Sequence, residues 1–283
     1  MTPQHHLPAD IERTSLSIIT AELGLTPPPE TAAVVKRVIH TTADFDYARN
    51  LHFTPGAVAA GVKALRAGTP IITDTNMALA GITKPGLARL GGTALCYMAD
   101  PEVAALAKAG GTTRAVASMQ RAAQEHPGAV LAVGNAPTAL LTIADQIEAG
   151  LRPALVIGVP VGFVNVVESK DRLFATCEAF GVPAIVAMGR KGGSNVAAAI
   201  CNALLYSAAE MLDPAARGWR GPIFDRNTQK GQNCRHAVLS FFLYSFRGSP
   251  GKSRLTVSHF RGGVTRYFRT ARSSTAMSIG LDK

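Results

Sequence analysis

Cysteine is scarce and scattered in this 283-residue chain: Cys96, Cys177, Cys201 and Cys234 form no CxxC pair. That spacing argues against a disulfide framework or a structural zinc site, and it suits a reducing cytoplasm. Long apolar runs are missing as well. The longest candidate, Pro153 to Val167, is broken by Gly158, Pro160 and Gly162, short of the roughly 18 or more apolar residues that a bilayer-spanning helix needs. The opening stretch, MTPQHHLPADIERTS, has neither the basic region nor the apolar core of a secretory signal. Neither GxGxxG nor a complete GxxxxGKS is present, which counts against nucleotide binding. Charged residues are only 17% of the chain against 47% hydrophobic, a balance that argues against disorder in the body of the protein.

Acidic residues are also few, 19 against 29 basic, so the formal net charge is +10. The excess is local. Residues 213–283 hold 13 basic residues and only Asp213, Asp225 and Asp282 as acids, whereas Met1 to Leu212 carries 16 of each sign. Net charge therefore describes the last quarter of the chain and not its fold. The expected organisation is one sizeable domain, residues 1–212, followed by a basic extension, residues 213–283, mostly disordered and rich in Arg, Ser, Gly and aromatic residues.

Within the body, five short apolar runs rich in β-branched residues read as buried parallel strands: Pro70 to Thr73, Thr93 to Met98, Ala129 to Val133, Ala154 to Val159 and Ala184 to Met188. Alanine-rich segments with helical spacing lie between or after them, at Thr112 to Glu125, Thr138 to Ala149, Val164 to Phe180 and Ser194 to Met211. Alternation of this kind predicts right-handed βαβ units in an α/β fold, a three-layer, flavodoxin-like parallel sheet with helices on both faces. An N-terminal helical segment precedes it, with helices near Ile11 to Leu23, Pro29 to His40, Asp44 to Asn50 and Gly56 to Ala67. Asp10 is the expected N-cap of the first.

Ligands of open α/β sheets bind beyond the carboxyl ends of the strands. The loops there are Asp74 to Met77, Gly134 to Thr138, Pro160 to Phe163 and Gly189 to Ser194. The last, GRKGGS, has the composition of an anion cradle, since glycines expose backbone amides at a helix N-terminus beside two cations; a glycine turn needed only for tight strand-to-helix packing has the same composition. Of seven histidines, His40 and His52 have settings worth weighing. His40 closes the apolar pattern VVKRVIH three residues after Arg37, so imidazole and guanidinium share a helix face. The pair suits proton transfer near neutral pH, and equally a helix C-terminal cap.

Taken together, the segments IERTSLSIITAE, KRVIHTTADFDYARNLHF, ITDTNMALAGI, TTRAVASM, GNAPTAL, PVGFVNVVESK and GRKGGSNVAAAICNAL resemble the precorrin-8X methylmutase family of cobalamin biosynthesis, which includes cobalt-precorrin-8 methylmutases. The resemblance runs from Ile11 to about Leu204 and implies an isomerase that moves a methyl group from C11 to C12 of precorrin-8X, yielding hydrogenobyrinate without an external methyl donor. It implies His40 as the proton donor and acceptor, and substrate contacts from Ser15, Arg37 and Arg114. Arginine suits the substrate's many carboxylates because its planar fork binds them in bidentate fashion. Asn135 and Thr138 would add amide and hydroxyl groups, and the Gly192, Gly193 and Ser194 amides an anion site. Lys170 with Glu168 is a weaker candidate for substrate contact, since a solvated helix pair has the same spacing. No protein metal site and no cofactor is expected, any cobalt arriving within the substrate. The resemblance also implies a homodimer, with the tetrapyrrole as partner and neither membrane nor nucleic acid for the body. A noncatalytic tetrapyrrole carrier using the same cleft is the alternative. The extension after Leu212 has no counterpart in the family pattern; a fusion, a misread coding end and a lineage-specific tail would all produce it.

Overall fold

The structure, a computed structural model, describes residues 8–217. They lie within one compact unit. Most of the basic extension, with its expected disorder, therefore falls outside the described residues, as do His5, His6, His236 and His259.

The chain opens with two helices, α1 (Pro8–Glu22) and α2 (Pro29–Thr42), then a single turn α3 (Tyr47–Asn50), strand β1 (Leu51–Phe53) and helix α4 (Ala57–Arg66). Strand β2 (Ile71–Thr73) leads into short helices α5 (Asn76–Gly81) and α6 (Lys84–Arg89), β3 (Ala94–Leu95) and α7 (Pro101–Ala109). Regular alternation follows: α8 (Arg114–Glu125), β4 (Val130–Val133), α9 (Pro137–Glu148), β5 (Leu155–Gly158), α10 (Val166–Phe180), β6 (Ala184–Ala187) and α11 (Ser194–Ala208), then a 3-10 turn at Pro214–Arg217.

Local chemistry accounts for several of these boundaries. Thr75, Asp100 and Thr113 each accept a hydrogen bond from an amide of the helix they precede, at Ala78, Glu102 and Val116, which satisfies one of the donors a helix start leaves open. Gly181 ends α10 in the left-handed conformation, where a side chain is costly. Asp10 is not a cap: α1 begins earlier, and Asp10 sits in its first turn, accepting from Arg13.

The six strands lie in the order β1-β6-β5-β4-β2-β3, all parallel except β1, which runs antiparallel to β6 with Leu51 opposite Ala187. Five strands were expected and all were expected parallel; β1 was missed because three residues cannot display an alternation, and its partner lies about 135 residues away. The predicted strand at Thr93 to Met98 shrinks to two residues, because a sheet edge with one neighbour sustains little pairing. The helices α5, α6 and α7 lie on either side of β3 between Asn76 and Ala109, where the sequence pattern sets no helix bounds.

Alternate residues of the central strands enter two separate clusters. Val130, Ala132, Leu155, Ile157, Ile185 and Ala187 join residues of α2, α4 and α11. Leu131, Val133, Val156, Ala184 and Val186 join residues of α8, α9 and α10. Both faces of the sheet are thus covered, the condition a buried parallel sheet requires. The α11 helix is buried nearly all round, from Val196 to Ala208, which explains why its apolar residues follow no single stripe.

Candidate active site

Among the parallel strands the chain leaves β2 toward β3 on one side and places β4 on the other, so strand order reverses between β2 and β4. A crevice opens at such a point, beyond the carboxyl ends. Asp74 directly follows β2 there and is fully buried. Its carboxylate accepts the amides of Gly134, Asn135 and Ala136, each at 2.8 Å. Burial raises its pKa above the usual carboxylate value, against the pull of those three donors. The backbone amide of Asn135 is therefore committed inward, while the Asn135 side chain is exposed and free to meet a ligand. Thr138, on the first turn of α9, pairs with the Thr113 hydroxyl that caps α8 (3.3 Å). Arg114 stands beside that cap, exposed.

The glycine-rich turn between β6 and α11 meets the same crevice. A Cβ on Gly134 would lie 2.7 Å from Ser194 Cα, and one on Gly192 only 2.2 Å from the Val159 carbonyl oxygen, so both glycines are demanded by close backbone approach. The Ser194 hydroxyl lies 2.8 Å from that of Thr75. Because Thr75 already accepts from the Ala78 amide, its own proton can go to Ser194, leaving the Ser194 proton for a ligand.

Lys170 departs from expectation. It is fully buried, not a solvated partner of Glu168, and its Nζ donates to the carbonyls of Gly189 (2.7 Å) and Lys191 (2.8 Å). Burial pulls its pKa down to about 8, with Asp171 acting in the opposite direction, so it stays mainly charged at neutral pH. A signal was available: Val166, Ser169, Lys170, Leu173, Thr176 and Cys177 are the buried stripe of α10, and Lys170 falls on it at helical spacing.

His40 lies on the last full turn of α2, half-buried. Burial lowers its proton affinity, and the charges of Arg37 and Arg217 push the same way while Glu12 opposes them. Arg37 is not an unoccupied cation: it pairs with Glu12, which also pairs with Arg217. The two guanidiniums lie against the Tyr206 ring, 5.2 and 3.9 Å from its centroid. Burial favours the neutral form of Glu12, but hydrogen bonds from Arg217 and Arg37 outweigh it and hold the carboxyl below its ordinary range. The Ser15 hydroxyl, one turn along α1, donates to the Ile11 carbonyl (2.9 Å).

Because β1 is antiparallel to β6, the chain ahead of Leu51 begins at the carboxyl end of the sheet. Lys191 of the glycine turn reaches back to it, bonding Asp44 (2.7 Å) and Asp46 (2.6 Å) just after His40's helix. The sequence-named residues still form two groups. Ser15, Arg37 and His40 lie on the α1 and α2 side of the sheet, and Arg114, Asn135 and Thr138 on the α8 and α9 side, with Gly193 and Ser194 between them. An exposed apolar fringe of Met77, Val161, Phe163 and Val164 borders the loops, with Arg190 stacked on Phe163 at 5.6 Å. Among the described residues no group of three or more His, Cys, Asp or Glu is arranged to hold a metal ion, and no helix is long and apolar enough to cross a membrane.

The family model described as precorrin-8X methylmutase matches residues 10–207. A cobalt-precorrin-8 methylmutase of Salmonella typhimurium is 46% identical over 210 residues, 72% of this chain and 97% of its own length. The precorrin-8X methylmutase of Pseudomonas aeruginosa is 40% identical over 196 residues, 69% of this chain and 93% of its own. The crystal structure of a precorrin-8X methylmutase from Thermus thermophilus superposes with a TM-score of 0.65 at 42% identity, covering 71% of this chain and 98% of that one. With the match spanning both residue groups and the loops between them, the chain belongs to the precorrin-8X methylmutase family of isomerases.

Proposed function

We propose that this protein catalyses the methyl shift from C11 to C12 of precorrin-8X, or of its cobalt form, to give the corrin chromophore. The step is intramolecular: one C–C bond breaks at C11 and one forms at C12, so no methyl donor or cofactor is consumed, and any cobalt enters as part of the substrate. His40 supplies a proton to the macrocycle and recovers it within one turnover, a role that requires an acid exchanging protons near the working pH. The carrying observation is that a family match over residues 10–207 coincides with a half-buried His40 whose proton affinity is lowered by burial and by Arg37.

The order of the five parallel strands, numbered among themselves, is 2-1-3-4-5, and we assign the fold to the three-layer, flavodoxin-like class on that ground. Arg114, Asn135, Thr138, Ser194 and the Gly193 turn contact the substrate's acetate and propionate groups, with Ser15 and Arg37 near His40. A homodimer would complete the cleft, since the two residue groups stand apart in one chain and the exposed fringe of Met77, Val161, Phe163 and Val164 supplies apolar area. Scattered thiols, free at Cys96, Cys177 and Cys201, favour a cytoplasmic location.

Replacing His40 with Ala should leave product binding largely intact and slow conversion of precorrin-8X by 10²-fold or more, in the range of lost acid–base catalysis. Unchanged conversion would remove His40 from the mechanism. Product binding by the unmodified protein without turnover of either substrate would instead mark a carrier.

A further inference from the structure

Two buried charges of opposite sign support the loops at the carboxyl end of the sheet, and they turn the backbone of those loops in opposite senses. Asp74 draws the amides of residues 134–136 inward, so those three amides are not offered to an anionic ligand. In the β6–α11 turn the carbonyls point inward instead. Gly189 and Lys191 give theirs to Lys170, and Arg190 gives its own to the Gly162 amide (3.3 Å). The Gly193 amide donates to Val159 (2.8 Å), whereas those of Lys191, Gly192 and Ser194 have no acceptor among the described residues. Gly192 and Gly193 allow this path: the first passes against the Val159 and Pro160 carbonyls, the second has a φ of 138°.

We propose that Lys170 is a positioning residue for substrate binding: by drawing the Gly189 and Lys191 carbonyls beneath the turn, it holds the Gly192 and Ser194 amides outward for a carboxylate of the substrate. The inference rests on the reading that this cleft binds the tetrapyrrole. A long cationic side chain suits the task because one buried ammonium satisfies two carbonyls, and its charge lies under the same anion. Neither Lys170's depth nor its partners would follow from a solvated helix pair. Its neighbour in the sequence, Glu168, is exposed and takes no part.

The test uses the full chain, its corrin product hydrogenobyrinate and precorrin-8X. In the unmodified protein, titration with product should shift the amide NMR resonances of Gly192 and Ser194 more than that of Gly193, whose amide is already bonded; unmoved Gly192 and Ser194 signals overturn the proposal whether or not any variant folds. Lys170→Met should raise KM and weaken product affinity at least tenfold while kcat changes less than threefold, and Lys170→Arg should recover part of the affinity. Unaltered KM and product affinity in a folded Lys170→Met protein would overturn the proposal, as would a loss confined to kcat. A different failure is distinguishable: an unmodified protein that binds product yet converts no substrate refutes the catalytic reading and leaves the amide titration valid for this one.

Discussion

At the scale of single residues, the structure changes what several side chains are available to do. Arg37 was expected to meet substrate, and it is engaged by Glu12 and Tyr206; to bind a carboxylate it must exchange one anion for another. Its second effect is electrostatic, since its charge disfavours the protonated form of His40. The sign of the pH dependence follows. An acid with a depressed pKa is protonated only below a midpoint lying under the ordinary 6.5, so kcat/KM should fall as pH rises through that midpoint. Arg37→Gln, which removes a nearby positive charge, should move the midpoint upward in the pH–rate profile. His40 itself was legible in the sequence as the residue ending an apolar helical pattern beside an arginine. Glu12 was not, because nothing local indicates that a carboxylate on one helix will sit between cations 25 and 205 residues away.

At the scale of elements, the turns after the strands are set by close backbone contact. Gly192 passes so near the end of β5 that any side chain must displace Val159 or Pro160. Gly192→Ala should therefore destabilise the protein by about 1–3 kcal/mol, the range for forced overpacking, and raise KM, measurable by urea denaturation and steady-state kinetics. The α1 helix depends on a different device, the Glu12 carboxylate shared by Arg37 and Arg217, all three largely shielded. Glu12→Gln should lower stability by about 2 kcal/mol in the same assay, as expected for hydrogen bonds to charged groups. The long regular helices α8 to α11 were readable within a few residues because their apolar spacing repeats over three or four turns. Strand β1 and helices α5 to α7 were not, because three to nine residues offer too little repetition and their stability comes from neighbours supplied by the fold.

At the scale of the whole molecule, the excess positive charge belongs to residues 213–283 of the sequence, nearly all of them beyond the described residues. Ending the chain after Arg217 should leave thermal stability and turnover within error of the full chain, because the family match ends at residue 207 and the last described contact to α1 is made by Arg217. The same truncation should lower the salt needed to elute the protein from a cation exchanger, since it removes a segment with 12 basic and two acidic residues. Ending instead at Leu212 also removes Arg217 and should reduce stability in the manner of the Glu12 variant. The scarcity of cysteine pairs, of long apolar runs and of nucleotide motifs, the five apolar runs and the order of short motifs were determined by sequence alone, for these are properties of composition and local period. Tertiary structure decided which polar groups are buried. Asp74 and Lys170 have ordinary sequence surroundings, and only the approach of strands and turns from across the chain removes their water and assigns them backbone partners of opposite polarity. Desolvation is a sum over distant neighbours, so the roles that depend on it are fixed by the fold and not by the local chain.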